Sequence, residues 1–258
     1  RRVLVLEQSP KCGLKILVSG GGRCNFTNTW TDPKEHFLSA NAHFCISALR
    51  RYTPWDFIAL VEDNGIGYHE KKLGQQFCDH SAKDLLAMLL QQAQSAGVEI
   101  KTRVEVQRVQ SGQGGGFEVA SSEHSFYADK VVLASGGLSM PKISSDLAFR
   151  TARQFALRVE ETTPALVPLT WNNADRERFA HLSGVSLPAI LSCGGTTFSE
   201  DILFTHRGLS GPGILQISSY WAPGDAVEID LLPDIDAFEW LVAVQESAPK
   251  SRVSALLQ

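Results

Sequence analysis

The segment Val3-Leu4-Val5-Leu6-Glu7 constrains the fold more than any other part of the chain. Four aliphatic residues in succession leave no polar face, and such a strand suits a parallel sheet covered on both sides. The run ends on an acid. In dinucleotide-binding α/β folds, the second strand ends on an acid that hydrogen-bonds the ribose hydroxyls of the adenosine half. The glycine-rich turn after the first strand then belongs about 20 residues upstream. No G-x-G-x-x-G occurs anywhere in the sequence. The expectation is a Rossmann-like α/β domain in a chain that lacks its first βα unit.

Downstream, residues 81–96 give the clearest helix, with Ser81 as N-cap, Asp84 in the first turn and Gly97 at the C-terminus. Residues 56–64 and 147–156 read as shorter helices. Residues 98–103 read as a strand, and 104–110, 117–121 and 125–128 as a small antiparallel meander. Residues 130–134 read as a second buried parallel strand that runs into Ser135-Gly136-Gly137. After Pro164 the pattern changes to short strands, at 166–171, 187–193, 196–198, 202–205 and 226–232, broken by Gly and Pro. This divides the chain into an α/β domain over 1–164, a β-rich domain over 165–233, and the start of a helical subdomain over 234–258, where the sequence stops without a closing element.

Composition narrows the function. The chain has 258 residues and a formal net charge of −4, with 24 Lys and Arg against 28 Asp and Glu. No stripe of Lys and Arg marks a phosphate-binding face, so no nucleic-acid partner is expected. The apolar runs are too short for a bilayer, so no membrane partner is expected either. The five cysteines are scattered and no CxxC occurs. A zinc site or disulfide framework is disfavoured, and a reducing cytoplasm suits the pattern.

Three segments carry candidate chemistry. In Lys15-Ile-Leu-Val-Ser19-Gly20-Gly21-Gly22-Arg23-Cys24-Asn25-Phe-Thr-Asn28, three glycines permit close backbone approach and an anion nest. Arg23 adds a guanidinium able to pair with a diphosphate. The absence of a following Gly-Lys-Ser/Thr excludes a P-loop. The alternative is a flexible surface loop. Ser135-Gly136-Gly137 follows a strand and would lie at the carboxyl ends of the sheet, where ligands bind in open α/β folds. The alternative is an ordinary turn. Residues 203–213, LFTHRGLSGPG, gather His206, Arg207, Ser210 and three glycines, which suits a binding rim. A structural role for His206 is the plainer reading.

Taken together, Glu7, KILVSGGGRCNFTN at 15–28, ASGGLSMP at 134–141, PALVPL at 164–169 and LFTHRGLSGP at 203–212 resemble the BaiN/RdsA-type flavoproteins. These are bacterial NAD(P)/FAD-dependent oxidoreductases akin to the glutathione-reductase-like superfamily. The resemblance implies an FAD-binding α/β domain, a β-barrel-like insert and a helical subdomain. It places Glu7 on the adenosine ribose. It places Lys15, Ser19, Gly20, Gly21, Gly22, Arg23, Cys24 and Asn25 along the diphosphate and flavin. Val104 would offer backbone contacts to adenine, and Ser135, Gly136 and Gly137 would close over the cofactor. The implied activity is NAD(P)H-driven reduction of a small organic substrate through FAD. The resemblance assigns no catalytic acid or base and no metal. Two other readings stay open: a flavoprotein associated with RNA modification, and an inactive fragment that acts only as a folded module.

Overall fold

A computed structural model describes residues 2–140 and 143–247. Arg1, Pro141, Lys142 and the helical continuation expected over 248–258 lie outside the described residues. The chain divides into two compact units, Arg1–Glu160 and Glu161–Gln258.

In the first unit, strand β1 (Leu4–Glu7) pairs in parallel with β5 (Glu99–Thr102), Leu4 opposite Glu99 and Glu7 opposite Thr102. Helix α1 (Leu14–Val18) follows β1, then a 3-10 turn (Ser19–Gly22) and strand β2 (Asn25–Asn28). Helices α2 (Ile46–Arg51) and α3 (Pro54–Asp63) lead to strands β3 (Tyr68–Glu70) and β4 (Gln75–Cys78). Strand β4 is the centre of an antiparallel sheet in the order β2-β4-β3.

The helix ends follow from local chemistry. Thr53 and Asp56 form a reciprocal capping box at α3, with Pro54 at its first position. Helix α4 (Ala82–Ser95) starts at Ser81, whose side chain accepts from the Lys83 amide at 3.2 Å. The inner faces of α3 and α4 bury Val61, Ala82, Leu85 and Met88 together with Cys24 and Cys78. Strands β6 (Val106–Ser111), β7 (Phe117–Ser121) and β8 (Ser125–Ala128) form the expected meander. Helix α5 (Leu147–Gln154) is tied to it by Gln154 Nε2 donating to the Val109 carbonyl at 2.8 Å.

Two expectations need correction here. Residues 131–134 form no strand, and Val132 is 88% exposed. A strand exists only where a neighbour takes its hydrogen bonds, and none of the described strands lies beside this run. Strand β1 is half open for the same reason: β5 is its one described neighbour, and Val3, Leu4 and Val5 are 47%, 38% and 41% exposed.

The second unit is a five-stranded antiparallel sheet in the order β13-β10-β11-β12-β9. Its strands are β9 (Leu169–Thr170), β10 (Ser186–Cys193), β11 (Thr196–Thr205), β12 (Gly208–Ser210) and β13 (Glu228–Asp230). The two short strands expected at 196–198 and 202–205 are one strand, because β10 pairs with β11 without a break from Ser186–Leu203 to Cys193–Thr196. Alternation along β10 turns Ala189, Leu191 and Cys193 into the core. Helix α7 (Pro212–Ile217) lays Ile214 and Ile217 against Leu191 and Ile202, all four fully buried. Each contributes about 1.5–3 kcal/mol relative to exposure. Helix α6 (Asn173–Phe179) is capped by the Asn172 side chain, and α8 (Ala237–Ser247) ends the described chain.

Candidate functional site

The tri-glycine turn is a left-handed bend. Gly20, Gly21 and Gly22 have φ of 57°, 66° and 88°, a region that costs an L-residue about 1–2 kcal/mol. Gly20 is required twice over, because a Cβ there would lie 2.7 Å from both the Asn25 amide and Phe77 Cε1. Gly21 has nothing within 4 Å, so its backbone is open to close approach by a ligand. Cys24 continues the bend at φ 52°, and its amide donates to the Ser19 carbonyl at 3.0 Å. The Arg23 amide donates to Gly20 at 3.4 Å. Those two amides are used within the turn. The 3-10 bonds of Ser19–Gly22 engage glycine amides as well, so the donor the turn offers a ligand is the Arg23 side chain. The Arg23 guanidinium is exposed and has no ion pair or hydrogen bond among the described residues.

Lys15 joins this turn to the second glycine segment. A Cβ on Gly136, which has φ 74°, would lie 2.7 Å from Lys15 Nζ. The ammonium therefore rests on the bare Cα of Gly136. Beside it the Ser135 Oγ is buried with no hydrogen-bond partner, and a buried hydroxyl left unpaired costs about 1–3 kcal/mol. An unpaired hydroxyl, a glycine cradle and two cations suit a group with anionic, hydrogen-bonding oxygens. FAD, with its diphosphate, fits these residues.

Glu7 and Val104, the residues expected at the ribose and adenine, lie together at the end of β1. The Val104 amide donates to the Glu7 carbonyl at 2.9 Å, so Val104 keeps only its own carbonyl for a ligand. It lies in the link between β5 and β6 and not within a strand. One Glu7 carboxylate oxygen accepts from the Ser9 amide at 2.7 Å, which fixes the acid at the end of β1. A shallow cavity of about 420 Å³, lined by Gln8, Ser9, Pro10, Leu14, Glu105, Ile143 and Ser144, opens beside it.

Sequence reasoning missed the floor of the site. Phe77 underlies Gly20, His69 stacks on Phe77 with ring centroids 6.4 Å apart, and His69 Nδ1 lies 2.7 Å from the Asp79 carboxylate. No motif signals them, since β4 pairs with β2 across about fifty residues of sequence and carries β3 on its other edge. The thiols here are quiet. Burial pushes Cys24 up, partly opposed by its bond with Ser19. Cys78 is pushed up to about 11 by burial, then by Cys24, Asp84 and Asp79. Cys12 is also raised, by burial and Glu7. None is poised as a thiolate nucleophile.

The run at 203–213 is built for packing. Thr205 Oγ1 donates to the Gly208 carbonyl at 2.9 Å and accepts from the Arg207 and Gly208 amides. A Cβ on Gly208 would strike the Leu169 carbonyl. One on Gly211 would lie 2.8 Å from the Asp201 carbonyl, and one on Gly213 2.5 Å from Leu191 Cδ1. The expected binding rim is thus a β-turn and a helix start, and its threonine hydroxyl is spent on its own backbone. His206 is exposed at the turn.

Comparison with known proteins extends this picture. The chain is 45% identical over its whole length to the ribosomal RNA dihydrouridine synthase of Escherichia coli (strain K12), and 43% identical to that of Haemophilus influenzae. It spans 64% and 65% of their respective lengths. Over 92% of the chain it is 28% identical to the 3-dehydro-bile acid delta(4,6)-reductase of Clostridium scindens, and covers 59% of that protein. The first two names correct the expectation of no nucleic-acid partner. A net charge of −4 averages the whole chain, whereas RNA contact depends on local groups. The HI0933-like protein Rossmann domain matches residues 1–204, and the HI0933-like protein barrel and H2TH domain matches residues 163–258. The chain therefore belongs to the HI0933-like protein family.

Proposed function

We propose that this chain is the FAD-holding part of a flavin-dependent reductase that saturates a uracil base in ribosomal RNA. One observation carries the substrate: the 45% identity to the Escherichia coli enzyme extends over the whole chain, against 28% to the bile-acid reductase. The printed names share a chemistry. Each describes the saturation of a carbon–carbon double bond conjugated to a carbonyl, the 5,6 bond of uracil in one case and the 4,6 diene of a 3-keto steroid in the other. Bound FAD would pass a hydride from a reduced nicotinamide, NADH or NADPH, to one carbon of such an electron-poor bond, and water would supply the proton for the other.

The chain's own residues place the cofactor. Arg23 and Lys15 neutralise the diphosphate. The open face of Gly21 admits it closely, Ser135 Oγ gains the partner it lacks, and Glu7 takes the ribose hydroxyls. A small-molecule substrate remains the second reading, favoured by the bile-acid relative.

The test uses the protein extended to the length of its relatives, purified with its flavin. It is incubated with NADH or NADPH and ribosomal RNA from cells that lack the gene. A uridine that gains the mass of a hydrogen molecule supports the proposal. Flavin reduction with no change in RNA, together with turnover of a conjugated enone, would replace the RNA reading by the small-molecule one.

A further inference from the structure

We propose that the segment following the tri-glycine turn is a landing surface for single-stranded RNA, made by Trp30, Tyr52 and Trp55 with Arg50 and Arg51. This rests on the RNA reading above and adds where the RNA is held. Residues 29–56 contain no buried side chain. Within them Trp30 is 60% exposed, Tyr52 54% and Trp55 64%. Single exposed aromatics are ordinary, and what marks an interaction surface is several of them on one packed unit with charges close by.

The aromatics are mounted and not loose. A Cβ on Gly74 would lie 2.7 Å from Trp30 Cδ1 and Cγ, so the indole lies against bare backbone. The Trp30 amide donates to Asn28 Oδ1 at 2.8 Å. Trp55 sits in the first turn of α3, fixed by the Thr53–Asp56 capping box, and Tyr52 ends α2. Both mounts belong to one packed unit, because Phe26 of β2 packs on Phe57 of α3 with centroids 5.8 Å apart. Strand β2 begins directly after Arg23 and Cys24. The surface is therefore continuous along the chain with the cofactor loop.

The charges select an anionic, base-bearing partner. Arg50 and Arg51 lie in the last turn of α2 and have no ion pair among the described residues. Two acids of this segment are occupied locally, and Glu35 is a third, exposed carboxylate. Asp56 accepts from the Thr53 amide and hydroxyl, both at 2.6 Å, and Asp32 accepts from the Lys34 amide at 2.7 Å. Exposed guanidinium groups adjoining exposed rings along the chain suit phosphates and unstacked bases, the mode by which single-stranded RNA is held.

The experiment measures binding of a uridine-containing single-stranded oligoribonucleotide to the extended, flavin-loaded protein by fluorescence anisotropy across a salt series. Trp30→Ala, Tyr52→Ala and Trp55→Ala are each expected to weaken binding about 5- to 150-fold. Arg50→Gln and Arg51→Gln are expected to lower the salt slope by about 0.7 each. Tyr127→Ala, 75% exposed on a different sheet, is expected to bind as the parent does. Flavin content and melting temperature should be unchanged in all six. Parent-like binding by the aromatic variants would overturn the landing surface and leave the RNA reading intact. A matching loss of melting temperature in Trp30→Ala and Trp55→Ala would overturn it too, by assigning the rings to packing. If the parent saturates ribosomal RNA but ignores the oligonucleotide, the surface is overturned and the reading stands. If it does neither, both fall.

Discussion

The chain holds two glycine-rich runs that look equally chemical on paper, SGGGRCN at 19–25 and THRGLSGPG at 205–213. In the first, one glycine faces open space. In the second, every glycine abuts backbone or side chain within 3 Å, and the threonine hydroxyl is consumed by the turn it sits in. Glycine density alone does not separate a binding loop from a packing motif. What separates them is whether the space a Cβ would fill is already taken.

The sharpest way to break this comparison is Gly208→Ala. Its methyl would strike the Leu169 carbonyl, and a loss of about 3 kcal/mol or more is expected in denaturant unfolding of the second unit. Gly20→Ala comes next. It meets the Asn25 amide and Phe77 from a left-handed backbone, and should cost about 2–3 kcal/mol. Gly21→Ala carries the backbone penalty without the collision, so about 1–2 kcal/mol is expected from the same measurement. If Gly21→Ala proves as costly as Gly208→Ala, the first loop is packed after all. Arg23→Ala against Arg207→Ala sharpens the contrast without unfolding anything. Both should change stability by less than about 0.5 kcal/mol, and only Arg23→Ala should lower the flavin-to-protein absorbance ratio. A separate effect concerns pH. The Cys78 thiol is raised from 9.0 to about 11, so the unfolded chain releases that proton first. Its contribution is complete below pH 9 and is lost as pH rises towards 11, and Cys78→Ala should flatten that part of an unfolding-versus-pH curve.

Local signals were legible in the sequence. The Ser81 cap, the strands at 117–121 and 125–128 and the acid closing β1 all depend on neighbours a few residues away. The β2-β4-β3 sheet was not legible, because NFTN, YHE and QQFC carry no β-branched pattern and are paired by distant sequence. Residues 131–134 show the converse: strong strand residues form no strand where no described neighbour accepts their bonds. The three αL glycines were recognisable as a turn, but Phe77 beneath them was not. RNA was set aside on net charge and on the lack of a Lys/Arg stripe, and neither registers Arg50 and Arg51, which have no ion pair among the described residues.

The amine of Lys15 resting on Gly136 has one more consequence. Two stretches far apart along the polypeptide meet where a long, flexible stem passes over a missing methyl. A side chain introduced at 136 would push the amine aside, and with it one of the two positive charges offered to the cofactor's phosphates.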